Sequence, residues 1–372
     1  LGVTVGGRYH LVSVLGQGGM GTVYLARHEV IGRSYAVKVL RREIAGDPDS
    51  VRRFVREAKI AGSLSHPHVA EVLDFGEVTS QELPALGSAT QPFMVMPLLE
   101  GRTLADILDR DGPLEGPRAA RLFAQAARGL AAAHARDVVH RDLKPDNLFV
   151  TRGAEAEGSP REFVKVLDFG VAKLLSGPRL TKQGTVFGTP YYMSPEQALG
   201  QPIDGRTDQY ALGVVLYEVL AGRVPFDDDT PMAVMKKHIF ATPTPLEEVV
   251  PDPEKLGAVG PIVLRCLEKR ADARFRDMDE LAAALEDAAK AGVTPRPRAT
   301  VRMDAGPTGT IKMTQASPIS GAFRDALAAE EAAPPRAPAA ARPPPRARRW
   351  LAPLVAALAV AAAAIVSWLA TR

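Results

Sequence analysis

Four short motifs follow one another between residues 16 and 170: Gly16-Gln-Gly-Gly-Met-Gly21, Tyr35-Ala-Val-Lys38, His140-Arg-Asp-Leu-Lys-Pro-Asp-Asn147 and Asp168-Phe-Gly170. No other feature narrows the fold as far. Each motif alone could sit on any surface, but as a set they serve one purpose only if remote segments meet in a single cleft. Transfer of a phosphoryl group from a nucleoside triphosphate to a hydroxyl asks for little covalent chemistry. It requires phosphates, metal and nucleophile to be held in line and their charge neutralised. The motifs offer a candidate for each of these tasks.

Gly16, Gly18 and Gly21, followed by Val23, lie between two stretches that alternate like strands, Tyr9 to Leu15 and Thr22 to Arg27. Glycines allow close approach of backbone to phosphate and dihedrals closed to other residues. The same spacing also occurs in dinucleotide-binding turns, but those need a helix directly after the glycines, and Thr22-Val-Tyr-Leu-Ala continues as a strand. The sequence contains no GxxxxGK[ST] loop, the other common phosphate cradle. Lys38 ends an apolar strand where a solvated lysine is the plain alternative. Next, Asp47-Pro48 reads as an N-cap and first-turn proline, opening a helix with Val51, Phe54, Val55 and Ala58 on one stripe and Glu57 at its edge. Helical glutamates are usually solvated, but a lysine that grips phosphates needs a carboxylate to fix it.

In the third motif a carboxylate, a lysine and an amide fall within six residues, ahead of the apolar strand Leu148 to Thr151. Asp142 can orient and deprotonate an attacking hydroxyl, Lys144 can neutralise a migrating phosphoryl group, and Asn147 can ligate a hard cation. A charged turn is the alternative. It loses ground because Asp168 follows a second short strand, Phe163 to Leu167, and supplies a carboxylate for a further metal contact.

On these residues the chain resembles the eukaryotic-type protein kinase family, and within it the membrane-anchored Ser/Thr protein kinases of bacteria. The resemblance spans residues 7 to 287, roughly three quarters of the chain. It implies an α+β, bilobal protein-kinase fold, with a small, mostly β N-lobe and a larger, mostly α C-lobe. It further implies ATP and Mg²⁺ (or Mn²⁺) as cofactors and transfer of the γ-phosphoryl group to Ser or Thr of proteins. Carried over to this chain, Lys38 and Glu57 form the ATP-positioning pair, Asp142 is the base, and Lys144 and Thr189 complete a Ser/Thr-type site. Asn147 and Asp168 are the metal ligands. Leu15, Gly16, Gly18, Gly21, Val23, Ala36, Lys38, Met96, Pro97 and Leu99 are the remaining nucleotide contacts. Met96 guards the back of the adenine pocket, and Pro97 departs from the glutamate common there; proline keeps the carbonyl that adenine needs and stiffens the hinge.

Other matches are structural. Ser194-Pro-Glu196 stands where the family usually has Ala-Pro-Glu; Arg274 is the expected partner of Glu196, and Asp208 resembles the aspartate that anchors the catalytic-loop backbone. Arg141 suggests control by phosphorylation between Asp168 and Glu196, with Thr181, Thr185 and then Ser176 as candidates and a homodimer as the route to autophosphorylation. Two rivals remain: a catalytically silent kinase-like scaffold, and a small-molecule kinase with the same ATP lobe.

At 46% hydrophobic and 24% charged the chain can build a sizeable core, while a net charge of +3 gives no sign of a nucleic-acid partner. The lone Cys266, in a helical run from Pro261 to Lys269, allows no intrachain disulfide and reads as a small core residue. Residues 79 to 91 and 152 to 161 read as polar hairpin loops. The segment from 288 to 349 is Pro/Ala/Arg-rich and reads as a disordered juxtamembrane linker; from Ala291 to Arg349 it holds ten Pro. Residues 350 to 370 are 21 in a row without a charge, with Trp350 and Trp368 near the ends and Arg346, Arg348 and Arg349 just before. That pattern predicts a transmembrane helix. The expected location is the inner (cytoplasmic) membrane, crossed once, with the kinase domain in the cytoplasm.

Overall fold

Period-two alternation in the first hundred residues builds an antiparallel sheet from β1 (Thr4–Val5), β2 (Tyr9–Gln17), β3 (Gly21–His28), β4 (Ser34–Leu40), β5 (Asp74–Val78) and β6 (Gln91–Pro97), in the order β1-β2-β3-β4-β6-β5. The computed structural model describes residues 2–19, 21–78, 82, 91–152, 162–169, 190–250 and 252–291. On one face of this sheet Val37, Val39, Phe93 and Val95 join Val5, Tyr9, Leu11, Ala26 and Val78 in a buried cluster. The opposite face carries Lys38, Leu40 and Met94, because successive strand side chains point to opposite sides. Helix α1 (Arg42–Ala45) leads into α2 (Pro48–Ser63), which covers that second face through Phe54 and Ala58. The start of α2 is fixed by Asp47, whose carboxylate accepts from the N–H groups of Asp49 and Ser50.

The larger lobe is helical: α3 (Leu104–Asp111), α4 (Gly116–His134), α5 (Pro195–Ala198), α6 (Arg206–Ala221), α7 (Pro231–Phe240), α8 (Leu246–Val249), α9 (Val259–Cys266) and α10 (Met278–Lys290). Nearly every residue of α6 from Thr207 to Leu220 is buried, which makes it the central helix of the lobe. Gly213 lets α9 approach α6 closely, since a Cβ there would lie 2.4 Å from Cys266 Cβ. Cys266 is thus a buried packing residue and a free thiol.

A three-stranded sheet of β7 (Gly101–Thr103), β8 (Leu148–Arg152) and β9 (Glu162–Val166) lies at the junction, in the order β7-β8-β9. Because β8 begins straight after Asn147 and β9 ends just before Asp168, the pairing Leu148↔Val166 brings the third and fourth motifs side by side. Gln91 and Arg152, expected in loops, are the terminal residues of β6 and β8; Gln91 is buried and donates from Nε2 to the Leu40 carbonyl. Helix α9 starts at Val259 and stops at Cys266, short of the predicted Lys269. Residues 288–290, predicted as the start of the linker, form the end of α10 instead; the rest of the predicted linker beyond residue 291 and the span 350–370 lie outside the described residues, among which no helix is long and apolar enough to cross a membrane.

Glu196 and Arg274 tie α5 to the segment before α10. Arg274 Nη1 and Nη2 donate to the two Glu196 carboxylate oxygens at 2.8 and 2.9 Å, and Thr207 Oγ1 donates to Glu196 at 2.8 Å. The remaining Arg274 donors meet the carbonyls of Arg206, Glu268 and Lys269. Burial alone would raise the Glu196 carboxyl, but the guanidinium and Thr207 hold it below the ordinary carboxylate range. Removing one member of such a pair strands the other charge, at a cost of about 3–5 kcal/mol. Arg274→Ala is therefore expected to lose folding before chemistry, read as a lower urea midpoint for unfolding; a stable, soluble but inactive variant is the contrary outcome.

Candidate active site

Lys38 is 7% exposed, in a position where an uncompensated ammonium could not be held. Its Nζ lies 2.9 Å from Glu57 Oε1 on α2 and 2.9 Å from Asp168 Oδ1 in the larger lobe. Burial acts to lower the Lys38 pKa, yet the two carboxylates outweigh it and hold the amine above its ordinary value. Burial likewise pushes the Glu57 carboxyl up, a rise that Lys38 restrains and Asp168 adds to. The three groups join strand, helix and the far lobe in one charged cluster.

The glycine-rich hairpin lies beside this cluster. Val23 on β3 pairs with Gly16 on one side and Lys38 on the other, and Gly18 N–H donates to the Gly21 carbonyl at 2.9 Å. A Cβ on Gly21 would come 2.7 Å from the Val39 carbonyl oxygen, so only glycine lets the hairpin lie this close to β4. Arg41, just past β4, donates from its guanidinium to the Gly19 carbonyl. Leu15 is half exposed, Val23 and Ala36 are half-buried, and Ala36 pairs across to Met96 on β6. Pro97, Leu98 and Leu99 then run, half-buried, from β6 toward β7. The predicted adenine contacts thus lie on β2, β3, β4 and β6 and on the segment that follows β6.

The His140–Asn147 loop is held by its backbone. Asp208, fully buried at the start of α6, accepts from His140 N–H and Arg141 N–H at 2.8 Å each, and His134 Nε2 lies 2.7 Å from its Oδ2. Burial alone would raise the Asp208 carboxyl; these donors, together with His140, hold it below the usual range. Arg141 has φ 68° and Asp168 φ 45°. A left-handed backbone costs a non-glycine residue about 1–2 kcal/mol, so such positions persist where the surroundings dictate them. The His140 ring donates from Nε2 to the Leu167 carbonyl at 2.9 Å and lies tilted by 45° against the Phe169 ring, with centroids 4.9 Å apart. Asn147 donates from Nδ2 to the Asp142 carbonyl at 2.8 Å, and Leu167 N–H donates to the Asn147 carbonyl at 2.8 Å.

Asp142 and Lys144 are half-buried in this loop. The amide nitrogen of Asn147 is taken by Asp142, which leaves its oxygen for a cation. Asp168 offers a second carboxylate oxygen beyond the one that meets Lys38. An oxygen-only donor pair of this kind fits Mg²⁺ or Mn²⁺ and gives no thiolate or imidazole for a softer metal. The predicted Thr189, and the candidate modification sites Ser176, Thr181 and Thr185, lie outside the described residues. Sequence reading missed His134 and Arg41: His134 ends a helix six residues before the motif, and Arg41 follows a strand, so neither spacing marked it.

Comparison with known proteins agrees with this geometry. Residues 9–283 match the family described as "Protein kinase domain". The chain therefore belongs to the protein kinase domain family. It is similar to the serine/threonine-protein kinase pkn2 of Myxococcus xanthus, 39% identical over 282 residues, covering 75% of this chain and 32% of that protein. The serine/threonine-protein kinase pkn3 of the same organism is 37% identical over 332 residues, covering 88% and 58%. The serine/threonine-protein kinase PknB of Mycobacterium tuberculosis is 40% identical over 281 residues, covering 75% and 42%. The chain thus spans less than two thirds of each of these relatives. Among solved structures, the M. tuberculosis PknI kinase domain superposes with a TM-score of 0.58 at 29% identity, covering 78% of this chain and 98% of that one.

Gly21→Ala is expected to push the hairpin away from β4 and raise the KM for ATP about tenfold or more, while the unfolding midpoint changes little. Steady-state kinetics at varied ATP checks this; an unchanged KM would mean the close approach has no part in nucleotide binding.

Proposed function

We propose that this chain is an ATP-dependent Ser/Thr protein kinase that transfers the γ-phosphoryl group to hydroxyls of protein substrates. The observation that carries the reading is the joint contact of Lys38 with Glu57 and Asp168, since a phosphate-gripping lysine and a metal-binding aspartate must be in place together. Asn147 and Asp168 would hold Mg²⁺ or Mn²⁺, which would supply positive charge to neutralise the phosphates of ATP. Lys38, fixed by Glu57, would bind the α- and β-phosphates. Asp142 would orient the substrate hydroxyl and accept its proton, and Lys144 would offset charge on the migrating group. The backbone bonds to Asp208 keep this loop in one geometry and spare it reorganisation during the reaction.

A silent scaffold is disfavoured because Lys38, Asp142, Asn147 and Asp168 are all retained. A small-molecule kinase is disfavoured by Glu196 and Arg274, which anchor the end of a peptide-binding segment. Arg141 supports control by phosphorylation of that segment, with Thr181, Thr185 and Ser176 as acceptors, through a homodimer. Its Nε is buried without a hydrogen-bond partner among the described residues, which suits a guanidinium that receives phosphate. The uncharged run 350–370 and the basic residues before it support a single-pass anchor in the inner membrane, with the kinase domain on the cytoplasmic side.

Two experiments check these readings. Supplied with labelled ATP and Mg²⁺, the wild-type chain is expected to label itself and an added protein, with Asp142→Asn reducing the rate about 100-fold or more; equal labelling by the variant would remove Asp142 from its role. Deletion of residues 350–372 is expected to move the protein from the membrane fraction to the soluble one, and unchanged sedimentation with membranes would rule out the anchor.

A further inference from the structure

Gln197 lies directly after Glu196, and its side chain faces two ways. Its Oε1 accepts from Ser194 N–H at 3.0 Å while Ser194 Oγ accepts from Gln197 N–H at 3.2 Å, a reciprocal cap that starts α5. Its Nε2 then reaches out of the cap and donates to the Arg141 carbonyl at 3.0 Å. A cap needs only the acceptor oxygen. Glutamate serves there as well as glutamine, so the amide nitrogen is surplus to the helix and bonds instead to the peptide joining Arg141 to Asp142.

That peptide follows a left-handed residue. Arg141 has φ 68°, and its N–H is already fixed by Asp208 Oδ1 at 2.8 Å. The carbonyl on the other side of Arg141 belongs to a peptide whose N–H, on Asp142, makes a long 3.3 Å bond to His140 Nδ1, and turning that peptide would swing the Asp142 Cα and its carboxylate. Gln197 holds that carbonyl from a different element, so Arg141 is gripped at both ends. We propose that Gln197 is a positioning residue for the phosphoryl-transfer reaction: it fixes the Arg141–Asp142 peptide, and with it the aim of the Asp142 carboxylate. The inference rests on Asp142 acting as the base.

The test compares Gln197→Glu, Gln197→Ala and Ser194→Ala in the full chain. Gln197→Glu keeps the acceptor for the cap and replaces the donor facing the Arg141 carbonyl with an oxygen. Ser194→Ala weakens the cap and keeps the donor. With casein as the phosphate acceptor, Gln197→Glu and Gln197→Ala are expected to lower kcat about tenfold with KM for ATP within twofold, while Ser194→Ala stays near wild type. Amide hydrogen exchange over residues 138–144 is expected to quicken in both Gln197 variants and to remain unchanged in Ser194→Ala. A Gln197→Glu protein equal to wild type in kcat and exchange, or a Ser194→Ala protein as impaired as Gln197→Glu, overturns the proposal. A wild-type chain that transfers no phosphate counts against the kinase reading, and the exchange comparison then decides only whether Gln197 fixes the Arg141–Asp142 peptide.

Discussion

A buried ammonium must be compensated, and the rest of the site follows from how Lys38 meets that demand. Strand alternation turns Lys38 toward the face that α2 covers, where it meets Glu57; Asp168 completes the charge from the other lobe. Burial pushes the Glu57 carboxyl upward despite its ion pair with Lys38, and the second carboxylate around that one amine, Asp168, adds to the rise. The cluster is therefore well suited to accept a cation and anionic phosphates as further members. Its geometry couples the position of α2 to the position of the Asp168 segment, so neither can drift without exposing an unmatched charge.

The larger lobe solves a different problem, that of holding an irregular loop still. Loops carry backbone groups that secondary structure does not satisfy, and here side chains from within the loop and from outside it satisfy them and tie the loop to its neighbours. Asp208 takes two N–H groups, His140 reaches the Leu167 carbonyl, Asn147 reaches the Asp142 carbonyl and Gln197 reaches the Arg141 carbonyl. Left-handed φ values at Arg141 and Asp168 persist within this network. The Glu196–Arg274 pair extends the same rigidity to the end of the segment between Asp168 and α5.

Local patterns made much of this readable. The Asp47-Pro48 start of α2, the strand continuing after Gly21 and the hairpin between Asn147 and Asp168 all follow from capping, period-two alternation and turn composition, which act within a few residues. Strand ends were less legible: Gln91 looks like a loop residue until Leu40 supplies an acceptor for its amide. His134 and Gln197 were invisible for a related reason, since their partners, Asp208 and Arg141, are 74 and 56 residues away in the chain.

The order and spacing of four motifs were enough to determine which residue types the chain assembles and the chemistry they suit, because covalent geometry and side-chain chemistry travel with the sequence. Tertiary structure alone decided which of those groups touch, which carbonyls are pinned, and that Lys38 faces two carboxylates at equal distance. Such contacts arise from packing between segments far apart in the chain, where burial removes water and obliges each charge and each peptide group to find a partner within the protein.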